Sequence, residues 1–483
     1  MKKTIKKIAL LICVLICYSS CDSIDFGDIN DNPNGATVAV TSQLLTQAQK
    51  TVGRFVVTST KGVFYIQHLA QGQYPNVSNY QTTSYSYDFW YTDPIHNLNE
   101  IIKINEDAAL KIDAAAFGNN NNQIAVARIM RSYYLQQITD RWGALPWSEA
   151  FQGVALPQPK FDSQEAIYNY MFAEIDEALV LINEGAGPLG DIIFSGDMDR
   201  WKVFANTLKM TMALRISDAN KALAQTKFEE AVSAGVVTHN KNNILFTFGT
   251  DDNSDNPWKD RANFALDDHL LSNTLIESLR THQDPRLFKF AEPSKDSITE
   301  NTNFPEGIDA KYVGAPIGAR NSAFNKFSLP TTTITGVPDY PSPIYTSAQV
   351  KFALAEGKLK GWNVGSGTTA SLFKEGIEDS MNFWGVDQAA IDAYTAAHAS
   401  STLADIAYEK WIALYLNGPE AWSEWRRLDM PVLTASEYAS GQAIPLRDAY
   451  EPAIKDNNPK NYAAVVAAQG PNNLQTKLWW DKN

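Results

Sequence analysis

Apolar residues recur at helical spacing along most of the chain, in consecutive segments. Asp93 followed by Pro94 starts one helix, because proline suits a first turn, and Ile95, Leu98, Ile101 and Ile102 follow. The next runs from about Gln123 to Arg141, with Val126, Met130, Tyr134 and Ile138 at four-residue steps. A third opens on a capping box at Asp162 and Glu165 and carries Ile167, Met171, Ile175, Leu179 and Ile182 on one face. Trp201, Phe204, Leu208 and Met212 mark a fourth, and Phe228 to Ala234 a short fifth.

These segments come in consecutive pairs whose apolar faces are too broad to be covered by one partner. Pairs of that kind bury their surface by stacking on further pairs, so the expected fold is all-α, with irregular tetratricopeptide-like helix pairs and no clean period. Helical pairs are expected over about 42–239 and 346–430. Between them, about 240–345, clusters of Gly, Pro, Asn and Thr give a loop-rich insertion broken by a helix near Ser272 to Thr281. Periodicity resumes at Thr346 to Trp362, Ser371 to Trp384 and Ile406 to Leu416, and Pro419 to Leu428 reads as a further helix. The segment 431–483 reads as loop. So much irregular chain in a compact protein is uncommon and usually functional.

The amino terminus carries an address. Lys2, Lys3, Lys6 and Lys7 precede an apolar run from Ile8 to Cys17 and the small pair Ser19 and Ser20, the order of a secretory signal over residues 1–20. Ten apolar residues are too few to span a bilayer comfortably, where roughly 20 are needed. Tyr18-Ser19-Ser20-Cys21 resembles a lipobox, with Tyr18 where leucine is common, so Cys21 is the expected lipidation site. It is the one thiol left after cleavage and has no partner for an internal disulfide. Several acyl chains together anchor stably, at ~0.8 kcal/mol per buried methylene. From there to residue 41, Asp, Asn and Gly dominate, as in an extended acidic tether. Asp28, Asn30 and Asn32 have the spacing of a calcium loop, but Pro33 stands where that loop needs glycine and no glutamate closes it.

The formal net charge is −13, and loss of the signal lysines makes the body more acidic still. Such a field disfavours nucleic acid and anionic lipid surfaces. With 44% hydrophobic and 20% charged residues, the body is a globular protein with ample core.

HExxH, GxSxG, Walker A, Rossmann glycine and CxxC patterns do not occur, and no cofactor is expected. His68, His96, His239, His269, His282 and His398 have no ligand spacing, so no metal site is expected. Asp251-Asp252 and Asp267-Asp268 pair carboxylates, but adjacent side chains rarely converge on one bond. The stretch Gly72 to Pro94, in contrast, sets Tyr74, Tyr80, Tyr85, Tyr87, Phe89, Trp90 and Tyr91 among Ser, Thr, Asn and Gln. Aromatic faces stack on the C–H faces of sugars, with polar neighbours for the hydroxyls. Phe89, Trp90 and Tyr91, directly before a helix, are read as capping the core. Tyr74, Tyr80 and Trp258 are the expected stacking platforms, with Arg261 and Asn263 as hydrogen-bond donors.

Six segments together resemble the SusD/RagB family of outer-membrane nutrient-binding lipoproteins of Bacteroidetes, in its SusD-like branch. They are DRWGALPWSEAF at Asp140 to Phe151, GDMDRWKVFANTLKMTMALRI at Gly196 to Ile216, HQDPRLFKFAEP at His282 to Pro293, VKFALAEGKLKGW at Val350 to Trp362, YEKWIALYLNGPEAWSEWRRLDMP at Tyr408 to Pro431 and LWWD at Leu478 to Asp481. The chain departs from the family's usual basic and aromatic ending around Pro445-Leu446-Arg447. The resemblance implies a lipid-anchored protein on the outer face of the outer membrane, whose loop-rich part is the ligand-binding portion. There it would be the lid of a SusC-like TonB-dependent transporter, capturing an oligosaccharide, or in some members a peptide, for import. A surface glycan or peptide hydrolase and a non-catalytic helical-repeat scaffold are the competing readings, separable by whether bound ligand is cleaved, retained or ignored.

Overall fold

The computed structural model describes residues 39–299 and 309–483. Cys21, the signal and the tether up to residue 38 lie outside the described residues. No helix among the described residues is long and apolar enough to cross a membrane.

The described chain is predominantly helical. In order the principal helices are α1 (Thr41–Thr51), α2 (Thr60–Tyr65), α3 (His96–Glu106), α4 (Asn120–Trp142), α5 (Gln164–Leu181), α6 (Met198–Arg215), α7 (Lys221–Ala234), α8 (Pro257–Phe264) and α9 (Asn273–Thr281). After the insertion come α10 (Ser347–Leu359), α11 (Thr369–Phe383), α12 (Gln388–Ala397), α13 (Leu403–Ala413), α14 (Gly418–Leu428) and α15 (Pro459–Gln469). They pack as pairs, α4 on α5, α6 on α7 and α10 on α11, with α3 on α4 and α13 on α14 extending the stack. Four short strands, β1 (Leu69–Ala70), β2 (Ile244–Phe246), β3 (Leu270–Leu271) and β4 (Ser342–Tyr345), form two antiparallel ladders. Leu69 pairs with Leu271, which fastens the insertion to the chain after α2, and Ile244 with Tyr345 across a bulge, which ties the two ends of the insertion together.

Side-chain caps fix the helix starts. Asn119 accepts from the Asn121 and Asn122 N–H groups, Asp197 from Asp199 and Arg200, and Thr402 and Asp405 form a reciprocal capping box. Three sequence expectations need correction. The helix expected to start at Pro94 begins at Asp88, because Pro94 sits inside a π-helical turn, Tyr91–Ile95, that continues into α3. Ser163, not Asp162, caps α5; Asp162 is occupied in the preceding turn, accepting from the Trp147 and Ser148 N–H groups at 3.2 and 2.6 Å. The segment 431–483, read as loop, contains α15, started by Pro459 in its first turn.

Two large apolar clusters make the core. The first joins α1, α3–α7 and α10–α12; the second joins α2, α9, α13 and α14 to parts of the insertion. Between the helices runs a buried ionic network. Glu424 meets Arg427 at 2.8 Å, Lys410 at 2.5 Å and Arg215 at 3.5 Å, and Arg427 also meets Glu356 at 2.6 Å. Arg215 reaches Glu420 at 2.7 Å, while Asp140 accepts from the Tyr168 hydroxyl and the Trp480 indole N–H at 2.6 and 2.9 Å. A second group ties Arg286 to Asp284 and Glu409, each at 2.6 Å. All six of the quoted segments supply a member of these networks.

Candidate functional site

A binding site needs aromatic faces that remain exposed beside polar groups at a concavity. After α1 the backbone widens into a π-helical turn, Val52–Val56, which turns Arg54 and Phe55 outward while Val52 and Val56 stay buried. Such turns recur at functional sites. Glycine is required at position 53, because a Cβ there would lie 2.3 Å from the Phe246 ring. That close approach seats the turn on the end of β2. Thr58 locks it by donating its hydroxyl to the Gly53 carbonyl at 2.8 Å. The short helix Asp88–Trp90, ahead of the second π-turn, presents Phe89 outward while Trp90 packs inward on Tyr134. Phe55 and Phe89 meet with ring centroids 4.7 Å apart, and 45% and 37% of their surfaces remain exposed. Two neighbouring phenylalanines half in water cost hydration free energy unless something covers them.

Arg54 leads from this ring pair into a cavity of about 380 Å³, which Lys50 also lines. Its apolar wall is Ile192, Phe246 and Phe248, the two rings edge to face at 4.9 Å. Its polar wall is the loop ahead of α8, where Gly249 N–H donates to the Ser254 carbonyl at 2.8 Å and Asp255 N–H to that of Asp251 at 2.9 Å. The Asp251 carboxylate accepts from the Ser254 hydroxyl and the Asn253 N–H, which hold its pKa below the usual carboxylate range. Asp252 instead faces water, 3.8 Å from Lys259. The two adjacent carboxylates therefore serve a closed turn and the surface, and do not converge on a common point. Asn253 and Ser254 remain at the cavity mouth beside Arg54, a rim suited to hydroxyl groups.

The five residues expected from sequence are distributed differently. Tyr80 is 1% exposed, in left-handed backbone, and meets Tyr65 edge to face at 5.8 Å within the second core cluster. Trp258 is likewise 1% exposed. The expectation that these two rings face solvent as platforms is therefore corrected. The reason for Trp258 is local: Asn256 caps α8, accepting from the Trp258 N–H at 2.9 Å, and the first helical turn rotates the indole inward. Arg261 lies one turn on, its guanidinium 4.6 Å over the Trp258 ring, and burial pulls its pKa down to about 10. Asn263 and Tyr74 are exposed, and Gln73 beside Tyr74 donates its N–H to Asp268 at 3.1 Å. Phe89, read as a core cap, is instead half out. Phe55 escaped notice because it is one ring at the end of an amphipathic helix; the signal was Gly53-Arg54-Phe55 interrupting the helical pattern after Lys50.

The profile of the SusD-like family, described as "Starch-binding associating with outer membrane", matches residues 33–451. No curated protein sequence matches the chain significantly. Among solved structures, one called a chitin-binding protein is 28% identical, with 92% of this chain and 100% of that one covered and a TM-score of 0.77. A SusD homolog from Bacteroides fragilis is 19% identical over 92% and 100% of the two chains, with a TM-score of 0.79. A chitin-binding SusD homolog from Flavobacterium johnsoniae is 23% identical over 92% and 97%, with a TM-score of 0.71. With a family profile spanning most of its length and the same helical architecture, the chain belongs to the SusD-like family of outer-membrane-associated proteins.

Proposed function

We propose that this protein is a cell-surface glycan-binding lipoprotein, which captures a neutral oligosaccharide on the Phe55–Phe89 platform and passes it to a SusC-like TonB-dependent transporter. The observation that carries this reading is the exposed ring pair, followed at Arg54 by a cavity that offers the Asn253 amide and the Ser254 hydroxyl among charged side chains of both signs. Such a site favours pyranose rings, which offer an apolar C–H face to the aromatics and hydroxyls to the rim. The name of the 28% identical chitin-binding relative supports a glycan, with β-linked N-acetylglucosamine units the first choice. The acidic charge of the body favours a neutral ligand over an anionic one.

Calorimetric titration of the purified body with chitohexaose and maltohexaose tests the reading. At least one is expected to bind, and Phe55→Ala or Phe89→Ala to weaken it on the order of 5- to 150-fold, the loss of about 1–3 kcal/mol of buried ring surface. Neither ring is deeply packed, so melting temperatures should hold. Failure of both sugars to bind, or unchanged affinity in both variants, would sink the glycan reading; appearance of shorter sugars would favour a surface hydrolase.

The lipid anchor on Cys21 places this site at the outer membrane, beside the transporter. Cys21→Ser is expected to move the protein from the membrane to the soluble fraction, and the native protein to co-purify with a SusC-like barrel in mild detergent. Retention of Cys21→Ser in salt-washed membranes would refute the anchor. A monomer isolated while that barrel stays intact would refute the partnership.

A further inference from the structure

We infer that a second glycan-binding cleft, sharing no lining residue with the first, lies across Phe151. Two concavities flank this ring, of about 560 and 510 Å³, each within the range of ligand sites. Phe151 is 46% exposed yet held in left-handed backbone, with φ at +64°, a conformation that a bulky side chain rarely adopts. Strain of this kind persists where the surroundings or a function require it. Here it sets the ring beside Tyr91, nearly parallel at 25° with centroids 5.6 Å apart, while almost half of the side chain stays exposed. Trp147 stands edge-on to Phe151 at 6.1 Å and to Tyr170 at 5.2 Å, completing an aromatic ridge between the two hollows. The Tyr91 hydroxyl donates to the Pro146 carbonyl at 2.6 Å, which fixes the ridge to the turn after α4.

The charges of the first hollow decide the ligand class. Lys103 lies 3.5 Å from Glu100, and Glu106 lies 3.7 Å from Arg128. Asp107 accepts from the Ala109 and Leu110 N–H groups at 2.8 and 2.9 Å. Arg131 donates to Asn99 at 2.7 Å, pairs with Glu174, and sets its guanidinium 5.9 Å from the Trp147 and Tyr170 rings. Both cations of this hollow, Lys103 and Arg131, already face a carboxylate, so an incoming anion would find no uncompensated partner. The Asp107 carboxylate here and that of Asp88 in the second hollow repel it further. What remains for recognition is aromatic faces and neutral polar groups, with Ser148 in the first hollow and Thr92 and Asn457 in the second. That is the chemistry of a neutral pyranose chain crossing Phe151, with one ring stacked on it and a neighbour in each hollow.

The test uses the full mature chain labelled with 5-fluorotryptophan and observed by fluorine NMR, the Trp147 signal being assigned with Trp147→Phe. The probes are chitohexaose, maltohexaose and xylohexaose. At least one is expected to shift the Trp147 signal, and to do so equally in a Phe55→Ala, Phe89→Ala double variant, which separates this cleft from the first platform. Phe151→Gly removes the ring but suits the backbone, so it should weaken the response on the order of tenfold while the melting temperature stays level or rises. A Trp147 signal unmoved by all three sugars overturns the proposal, and so does a shift that vanishes in the double variant. The native and double-variant spectra decide the matter even where Phe151→Gly lowers the melting temperature.

Discussion

Arg427→Met is expected to cost about 3–5 kcal/mol of folding free energy, because it leaves two buried carboxylates short of a cation. Arg427 is fully buried and donates to both oxygens of Glu356, at 2.6 and 2.7 Å, and to Glu424 at 2.8 Å. Burial alone would raise the pKa of Glu356; the Arg427 guanidinium overcomes it and holds the group below its usual range. For Glu424, Arg427, Lys410 and Arg215 together overcome the same penalty by a wide margin. The sign of the pH dependence follows. Both carboxyls are depressed in the folded state, so their contribution is complete above the ordinary value of 4.5 and is lost as pH falls through the depressed values. In Arg427→Met the deprived Glu356 should be pushed above 4.5 instead, and its penalty relieved by acid. The stability gap between native and variant, measured by urea unfolding, should therefore be widest near pH 7 and narrow toward pH 4. A gap below 1 kcal/mol at pH 7, or one that widens in acid, would show that Glu424 and Glu356 are satisfied without Arg427.

That network also explains which parts of the fold were legible. The helix pairs could be read because a four-residue apolar period is a local property, and α4, α6, α10 and α13 lie where the period placed them within a few residues. The six segments could be read as a set because they do a joint task. Asp140, Arg215, Glu356, Glu424 and Trp480 come from separate parts of the chain and meet in the interior, and Arg286 meets Glu409 in the second group. Their types are restricted by partners that one segment alone does not reveal. Local signals failed where two meanings overlap. Asp162 and Ser163 both suit a cap, and only the turn at Trp147 and Ser148, brought back by the fold, claims Asp162. Pro459 in a polar stretch read as loop although it opens α15.

The site was harder for a different reason: exposure of an aromatic ring depends on the rotation of its helix and on what packs behind it. In the stretch Tyr87 to Tyr91, consecutive rings alternate between core and solvent, so Trp90 meets Tyr134 while Phe89 meets Phe55. Polar neighbours in sequence gave no hint of that rotation. The π-turns that expose Phe55 and precede α3 need one extra residue per turn, and neither a period of 3.6 nor a loop composition signals them. Arg54 and Phe55 are visible only once Gly53 is found against Phe246, far away in the chain.

Trp258→Ala should consequently behave as a core substitution, losing about 3–5 kcal/mol, the usual cost of emptying a large aromatic site. The indole is 1% exposed, faces His269 edge-on at 5.7 Å, and belongs to the cluster that contains Tyr80, Trp411 and Trp422. Truncation also removes the surface on which the half-buried Arg261 guanidinium rests, 4.6 Å from the ring. Burial already draws the Arg261 pKa down to about 10, so its charge would have to find water through the vacated space. Two effects then act together, a cavity and a displaced cation, and relaxation of α8 offsets only part of them. Asn256 fixes that helix start to the Pro338 and Tyr340 carbonyls, both at 2.7 Å, which limits collapse around the hole. Oligosaccharide affinity, in contrast, should stay within roughly twofold wherever the variant is folded, since no Trp258 surface faces a ligand. Urea unfolding and calorimetry on the same preparation separate the outcomes. A variant of native stability with affinity reduced tenfold would restore Trp258 as a stacking platform and require the loops around α8 to open when sugar binds.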